Sequence, residues 1–510
     1  MRIKTNLRGF LVSLSLANLM MMKVWLPIVP FRAGQAFYLE HSQTVVYAGA
    51  LVSTLLLALA LWGVTHIAAR WQHIERGVWP FMYGTAVALC LNGIRFNNGW
   101  SLELIYGAIG KLGAVIAALF VVVGAGYVLF RYRYVIVQKH SSIALIFSPF
   151  LLFTFGQSLL ALTQVEPESA FSTRSPHHLQ PVEPANAMPV VWIIFDELDY
   201  RMAFGHRPQS LVLPELDKLQ QTCLYSSKAY SPGGYSLISL PQLLTGKVLT
   251  SSTPLSANTL QLTAPGGKTT NLKTAQTIIA DMQQRHKKIA LFGWYLPYAR
   301  LFPTVDVCKN YPLYFSPDGL AETIAYQLGS LIESRFTFLT SDTRHILMTQ
   351  SMQNDVIHFL KTFQGGFLFL HYPVPHPDYI YHRSTRTYAI NRNRIEGYLD
   401  NLALTDRLLG EVHATMEKTG IWDKSLVIVS SDHHWRSNTY DGVTDSLHVP
   451  FLVKHPGQKK SLSYSDHFET VHTKEMILNI IDGKINTPEQ LKTWMQNIPH
   501  PQESASIPMR

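Results

Sequence analysis

Cysteine, acidic charge and nucleic-acid motifs are scarce or missing in this sequence. Its 510 residues contain three cysteines, too few for a disulfide scaffold. Cys90 lies in an apolar run, while Cys223 and Cys308 lie in the more polar half; an oxidising compartment would allow them to pair, and their spacing does not decide it. Asp and Glu number 34 against 43 Lys and Arg, a net charge of +9. No basic stripe or nucleic-acid motif accompanies that excess, so it implies no nucleic-acid partner. Basic residues flanking apolar runs account for it. The C-terminal half has no internal repeat, which excludes a solenoid.

Charge is scarcest up to about Val165, and there the apolar runs are long. A bilayer-spanning helix needs roughly 20 predominantly apolar residues. Five stretches meet or approach that: Phe10 to Val29, Thr44 to Ala69, Val78 to Asn92, Leu104 to Phe130, and Ile143 to Thr163. The third is short and contains Pro80. A cleaved leader peptide would explain none of the later runs. Arg2, Lys4 and Arg8 precede the first run, Arg70 and Arg76 follow the second, and Arg131, Arg133 and Lys139 follow the fourth. Basic loops mark the cytoplasmic side, so five spans place everything after Val165 outside. The runs hold almost no acidic residue; Glu103 is marginal, and Lys23 and Lys111 lie near ends where they can snorkel. A transport pathway would need ionisable groups at mid-membrane depth, so the expected role is an anchor.

The organisation expected is a transmembrane helical domain over 1–165, a Pro- and Ser-rich linker over 166–188, an α/β catalytic domain over 189–485 and a tail over 486–510. His177 and His178 fall in the linker and read as solvated. In the α/β part the runs VVWIIF, KIALFGW, GGFLFL and SLVIVSS, with helical stretches between them, predict a mainly parallel buried sheet. Ligands in such sheets bind beyond the carboxyl ends of the strands. Asp196 and Glu197 follow the first run, His371 ends the third with His376 five residues on, and Asp432, His433 and His434 follow the fourth. Singly, each reads as a helix cap or surface histidine. Together at three strand ends they are ligand types for zinc, with manganese second and calcium last. In SPGGYSLISLPQLLTGK a turn opens a helix with Ser236 in its first turn. Helix N-termini favour anions, a phosphoryl group or a serine alkoxide among them.

FDE after a strand, S-x-x-S-x-P-x-L-L-T-G, VPHP, VIVSSDHH and HVPFLV occur here in an order that resembles the alkaline-phosphatase and sulfatase superfamily. The pattern is most similar to its membrane-bound phosphoethanolamine transferases and lipoteichoic-acid-synthase-like enzymes, and covers Val190 to Gly483. The resemblance implies Ser236 as nucleophile and a metal held by Asp196 or Glu197, Ser236, Asp432 and His433. It implies that His376 and His448 serve the substrate phosphate or a second metal, leaving one or two ions. His371 matches less well, and Asp378 with His382 reads as a surface pair. It further implies a multi-pass protein of a bacterial-type cytoplasmic membrane, its catalytic domain on the periplasmic side. A phospholipid donor would pass a phospho-headgroup to an envelope glycolipid or glycan. Two departures stand out: Ser236 replaces the usual threonine, and His434 replaces the usual glycine. Formylglycine-forming sulfatases need Pro or Ala and then Arg after the nucleophile. Ile238 and Leu240 occupy those places, which excludes that modification. The rival readings are a phosphodiesterase or other ester hydrolase with water as acceptor, and an inactive envelope scaffold.

Overall fold

The computed structural model describes residues 2–29, 33–98, 102–171, 188–312, 319–331, 341–436 and 447–498. Two compact units divide the chain: Met1–Ala36, His41–Ala170 and Ser316–Phe338 form the first, and Phe37–Glu40, Phe171–Phe315 and Leu339–Arg510 the second. The linker histidines His177 and His178 lie outside the described residues.

The first unit is helical: α1 (Arg2–Met20), α2 (Met22–Ile28), α3 (Thr44–Ala68), α4 (Gln72–Asn97), α5 (Leu102–Arg131) and α6 (Arg133–Leu162). Leu320–Gly329, which follows in sequence a segment of the second unit, folds back here, and Gln327 Nε2 donates to Val46 O at 3.0 Å. Among the described residues three helices, α3, α4 and α6, are long and apolar enough to cross a membrane, or four if the pair Leu7–Met20 and Met22–Ile28, bent by 67°, is one span. The expectation of five spans is corrected at α5, where Gly110 takes φ 72 and ψ 161 and interrupts the helix. The apolar helix beyond the break, Val115–Arg131, is short for a span. The third expected span is longer than its apolar core, because its polar flanks continue the helix to Gln72–Asn97. Nor do Arg131, Arg133 and Lys139 lie in a loop: α5 and α6 are separated by Tyr132 alone.

The second unit is built on eight strands: β1 (Val190–Phe195), β2 (Leu224–Ser226), β3 (Ile289–Trp294), β4 (Val307–Tyr311), β5 (Phe367–Tyr372), β6 (Leu426–Ser431), β7 (Phe451–Lys454) and β8 (Leu462–Tyr464). Their order is β8-β2-β7-β6-β1-β5-β3-β4. Only β7 runs against the rest, so the sheet is mainly parallel as the apolar runs predict. Every residue of β1, β3, β5 and β6 is buried, because both faces are covered. Val191, Ile193 and Phe195 enter one core, and Val190, Trp192 and Ile194 the other. The register sets Phe195 beside Ser431 and Tyr372, which brings the carboxyl ends of β6, β1 and β5 together at the centre of the sheet. Cys223 precedes β2 and Cys308 lies in β4, six strand spacings apart. At 4.7–4.9 Å per spacing that is about 29 Å, far beyond the reach of a disulfide, and both are free thiols.

Candidate active site

Asp196 and Asp432 extend β1 and β6 from the paired residues Phe195 and Ser431, so the register alone makes them neighbours. Ser236 opens the helix Ser236–Thr245 after an extended Tyr235 (φ −158, ψ 154). The approach is tight: a Cβ on Gly233 would lie 2.5 Å from Ile238 Cγ2, and Gln242 Nε2 donates to Pro232 O at 2.7 Å. Leu240 and Leu243, at i+4 and i+7 and so on the same face as Ser236, are buried, which turns Ser236 toward the interior.

Ser236 Oγ donates to Asp196 Oδ2 at 3.3 Å and lies 3.4 Å from His433 Nε2. His433 Nε2 is 3.4 Å from Asp196 Oδ1 and 3.5 Å from Asp432 Oδ2. His433 Nδ1 faces the carbonyl of His434 at 2.9 Å. That contact places the ring proton on Nδ1 and leaves a lone pair on Nε2. Carboxylate oxygens and an imidazole lone pair therefore converge with no proton between them except one retained by an acid. Burial, then the charges of Asp432 and Glu197, push the Asp196 carboxyl well above its ordinary range.

A divalent cation resolves this cluster. Asp196, Asp432 and His433 are buried and offer three ligand atoms within 4.8 Å of one another, and Asp196 Oδ1 and Asp432 Oδ2 have no hydrogen-bond partner. Ligand atoms around a tetrahedral ion with 2.0–2.1 Å bonds stand about 3.3–3.4 Å apart, close to the separations found here. The residues present fit a zinc-sized ion, with Ser236 Oγ as the fourth donor.

The other residues expected at the site each have their own surroundings. Glu197 is buried with a left-handed backbone (φ 62), and its Oε1 accepts from Arg436 Nε at 2.6 Å. Arg436 Nη2 lies 3.2 Å from His376 Nε2. Burial, followed by the positive neighbours, lowers His376 to about 3, so it is neutral at physiological pH. His448 stacks on Tyr200 with ring centroids 3.9 Å apart, and its Nε2 lies 2.9 Å from Ser227 O. Glu197, His376 and His448 are outside the three-ligand group. His371 is fully buried, its Nε2 4.0 Å from Asp196 Oδ2 and its Nδ1 3.1 Å from the Tyr298 hydroxyl. Burial lowers it to about 4. His382 pairs with Asp400 Oδ2 at 3.4 Å.

Three residues that the motifs did not single out shape the site. Arg436 is one, three positions after His433 at the same strand end. The Tyr398 hydroxyl donates to Glu197 O at 2.7 Å and accepts from Asp199 N at 3.1 Å, clamping the segment that carries Asp196 and Glu197. Asp199, fully buried, accepts from Arg201 Nη2 at 2.9 Å and from Trp435 N at 3.2 Å, tying the ends of β1 and β6 together. Chain proximity to a strand end was the available signal for Arg436 and Asp199. Tyr398 lies two hundred residues from its partners and gave none.

The sulfatase family model matches residues 189–482. The chain belongs to the sulfatase family. The matched domain, with its mainly parallel sheet, belongs to the alkaline-phosphatase and sulfatase superfamily, whose members generally use a divalent metal. A ulvan-active sulfatase of Formosa agariphila is 25% identical over 115 residues, 21% of this chain and 20% of that protein. The chain thus aligns with about a fifth of the length of that curated relative. A phosphonate monoester hydrolase from Silicibacter pomeroyi is similar at 16% identity, covering 58% of this chain and 73% of that one, with a TM-score of 0.41. An alkaline phosphatase superfamily protein from Vibrio parahaemolyticus matches at 16% identity over 60% of this chain and 68% of its own, also at 0.41.

Proposed function

We propose that this sulfatase-family enzyme is a membrane-anchored phosphotransferase. On this reading it moves a phospholipid headgroup, phosphoethanolamine or glycerol phosphate, onto an envelope glycolipid or glycan. The observation that carries it is Ser236 Oγ, 3.3 Å from Asp196 Oδ2 and 3.4 Å from His433 Nε2. It is a serine hydroxyl at a helix N-terminus, in a sequence that lacks the formylglycine pattern. Apolar helices long enough to span a membrane would make lipids the local donor.

Asp196, Asp432 and His433 would hold the ion with Ser236 Oγ. Bound there, it supplies Lewis acidity that lowers the hydroxyl's pKa and offsets phosphoryl charge; zinc is favoured by the imidazole, with manganese next. Ser236 Oγ, its proton directed at Asp196 Oδ2, attacks the phosphorus of the donor. The P–O bond to diacylglycerol breaks, the leaving oxygen takes up a proton, and the headgroup phosphate is left esterified to Ser236. An acceptor hydroxyl then attacks the same phosphorus and restores the serine. Arg436 and the neutral His376 stand beside this cluster, as a cation and a hydrogen-bonding group for the non-bridging oxygens. His448 is assigned to the same duty by its motif.

Ser236→Ala tests the reading. The variant is expected to lose turnover while keeping its metal content and a melting temperature within about 2 °C of wild type. Mass spectrometry of envelope glycolipids and glycans from cells carrying each form then identifies the group by the mass lost. Full activity in Ser236→Ala would overturn the nucleophile. Hydrolysis is the second reading, favoured by membership in a family named for ester hydrolases. Purified wild type releasing headgroup phosphate at an undiminished rate without any acceptor would establish it instead.

A further inference from the structure

In the first unit, an open groove of about 460 Å³ lies between α4 and the α5–α6 junction. From α4 it is lined by His73, Arg76, Gly77, Pro80 and Phe81, and from the junction by Leu129, Phe130 and Arg133. The α4 positions are spaced i, i+3, i+4, i+7 and i+8, one face of one helix. Their character changes along that face, basic at His73 and Arg76 and apolar at Pro80 and Phe81, over about 12 Å. Phe81 and Phe130 are exposed. Arg133 Nη1 donates to Phe130 O at 2.7 Å, and its guanidinium lies 4.0 Å from the Phe130 ring centroid. Arg76 lies 5.2 Å from the Tyr134 centroid. Among the described residues no carboxylate pairs with either arginine. The floor is open at Gly77, where an added Cβ meets nothing within 4 Å.

Two guanidiniums without an anion at one end, and a trough of aromatic and aliphatic side chains at the other, match an amphipathic anion. We propose that this groove binds one anionic phospholipid, its phosphate between Arg76 and Arg133 and an acyl chain past Gly77 along Phe81 and Leu129. Arginine suits the phosphate because its planar fork can engage two oxygens. The negative headgroup is what distinguishes this lipid from a zwitterionic one. The inference rests on the membrane-spanning reading of these helices and is independent of the chemistry at Ser236.

The test uses full-length protein in mixed micelles containing equal phosphatidylglycerol and phosphatidylcholine, with retained lipid read by native mass spectrometry. Wild type should retain one phosphatidylglycerol in preference to phosphatidylcholine. Removing both positive charges in an Arg76→Gln, Arg133→Gln variant should weaken that preference by about thirtyfold. Gly77→Leu keeps every charge, favours the helix and fills the floor, so it should also lose the lipid. Equal retention of the two lipids by wild type, or undiminished phosphatidylglycerol on both variants, would overturn the proposal. So would full displacement by millimolar inorganic phosphate, which would mark a simple anion site. Protein that stays soluble without detergent would instead sink the membrane reading beneath it.

Discussion

The two units use the same kinds of side chain in opposite ways. In the α/β unit the apolar strands are buried, and with them Asp196, Glu197, Asp199, Arg201, Asp432 and Lys454. In the helical unit many large apolar side chains point outward, Leu152 at 77% exposure and Phe81 at 73%, although others such as Leu16 and Trp25 are buried, and Ser13, Asn18, Ser53, Thr54 and Thr154 are inside with them. Among the described residues that unit buries no Asp, Glu, Lys or Arg. Neutral polar groups can satisfy one another at close range, as where Thr154 Oγ1 donates to Asn18 Oδ1 at 2.9 Å. Buried carboxylates cannot do so without a cation. The contrast assigns the chemistry to one unit and fits the other to an apolar solvent.

The sharpest way to break that contrast is Asp196→Asn. In the metal-loaded enzyme it removes a ligand and the acceptor for the Ser236 proton, and turnover should fall by roughly a thousandfold or more with loss of bound metal. In metal-free protein the sign of the stability effect reverses. Without the ion Asp196, buried beside Asp432 and Glu197, either holds a proton or bears their repulsion, and an amide removes that cost. Metal-free Asp196→Asn should therefore melt above metal-free wild type, and metal-loaded wild type above both, by scanning calorimetry with and without chelator. A metal-free variant less stable than metal-free wild type would show that the carboxylate serves the fold and not an ion.

What the sequence made legible follows the same division. The apolar runs before Asp196 and Asp432 were readable as buried strands because burial on both faces leaves no polar alternation, and the site residues sit at their ends. Ser236 was readable because a Pro-Gly-Gly turn opens its helix. Hydropathy could not reveal the break at Gly110, since a left-handed glycine leaves an apolar run apolar. Nor could it show that the chain returns at Leu320–Gly329 to the helical unit. Tyr398 was invisible because its partners are set by tertiary packing of a helix against a strand end. His448 was readable as a motif, but its position against Tyr200 and Tyr230 depends on a loop geometry that the motif does not encode.

A matched pair of truncations sharpens the contrast in packing. Phe369, fully buried in β5 and edge-on to Trp192 at 5.4 Å between centroids, should cost about 3–5 kcal/mol as Phe369→Ala. Leu152→Ala on the outer face of α6 should cost less than about 0.5 kcal/mol. Denaturant unfolding of the α/β unit, followed by tryptophan fluorescence in detergent, measures the first; thermal aggregation of the full chain compares both. Equal losses would mean that the outer face of α6 is covered by protein.

The smallest expected effect concerns a buried charge far from the site. Lys454 donates to the carbonyls of Trp422 and, at 3.1 Å, Ser425, and burial lowers it to about 8. Above that pH the folded chain has lost a proton that the unfolded chain, with an ordinary lysine near 10.4, still holds. The unfolded state then binds more protons, so this residue makes stability rise with pH from about 8 upward. Buried thiols oppose it over the same range, from about pH 8, because burial raises Cys223 and Cys308 to about 12 and the folded state retains protons that the unfolded thiols release. The window from pH 8 to 9 holds both effects, and because a Lys454 variant keeps both thiols, comparison with wild type there reports the lysine. Lys454→Met should flatten the rise of melting temperature across it relative to wild type, while leaving turnover at Ser236 unchanged. An identical slope in the two proteins would mean that the ammonium is as well solvated by its two carbonyls as it is by water.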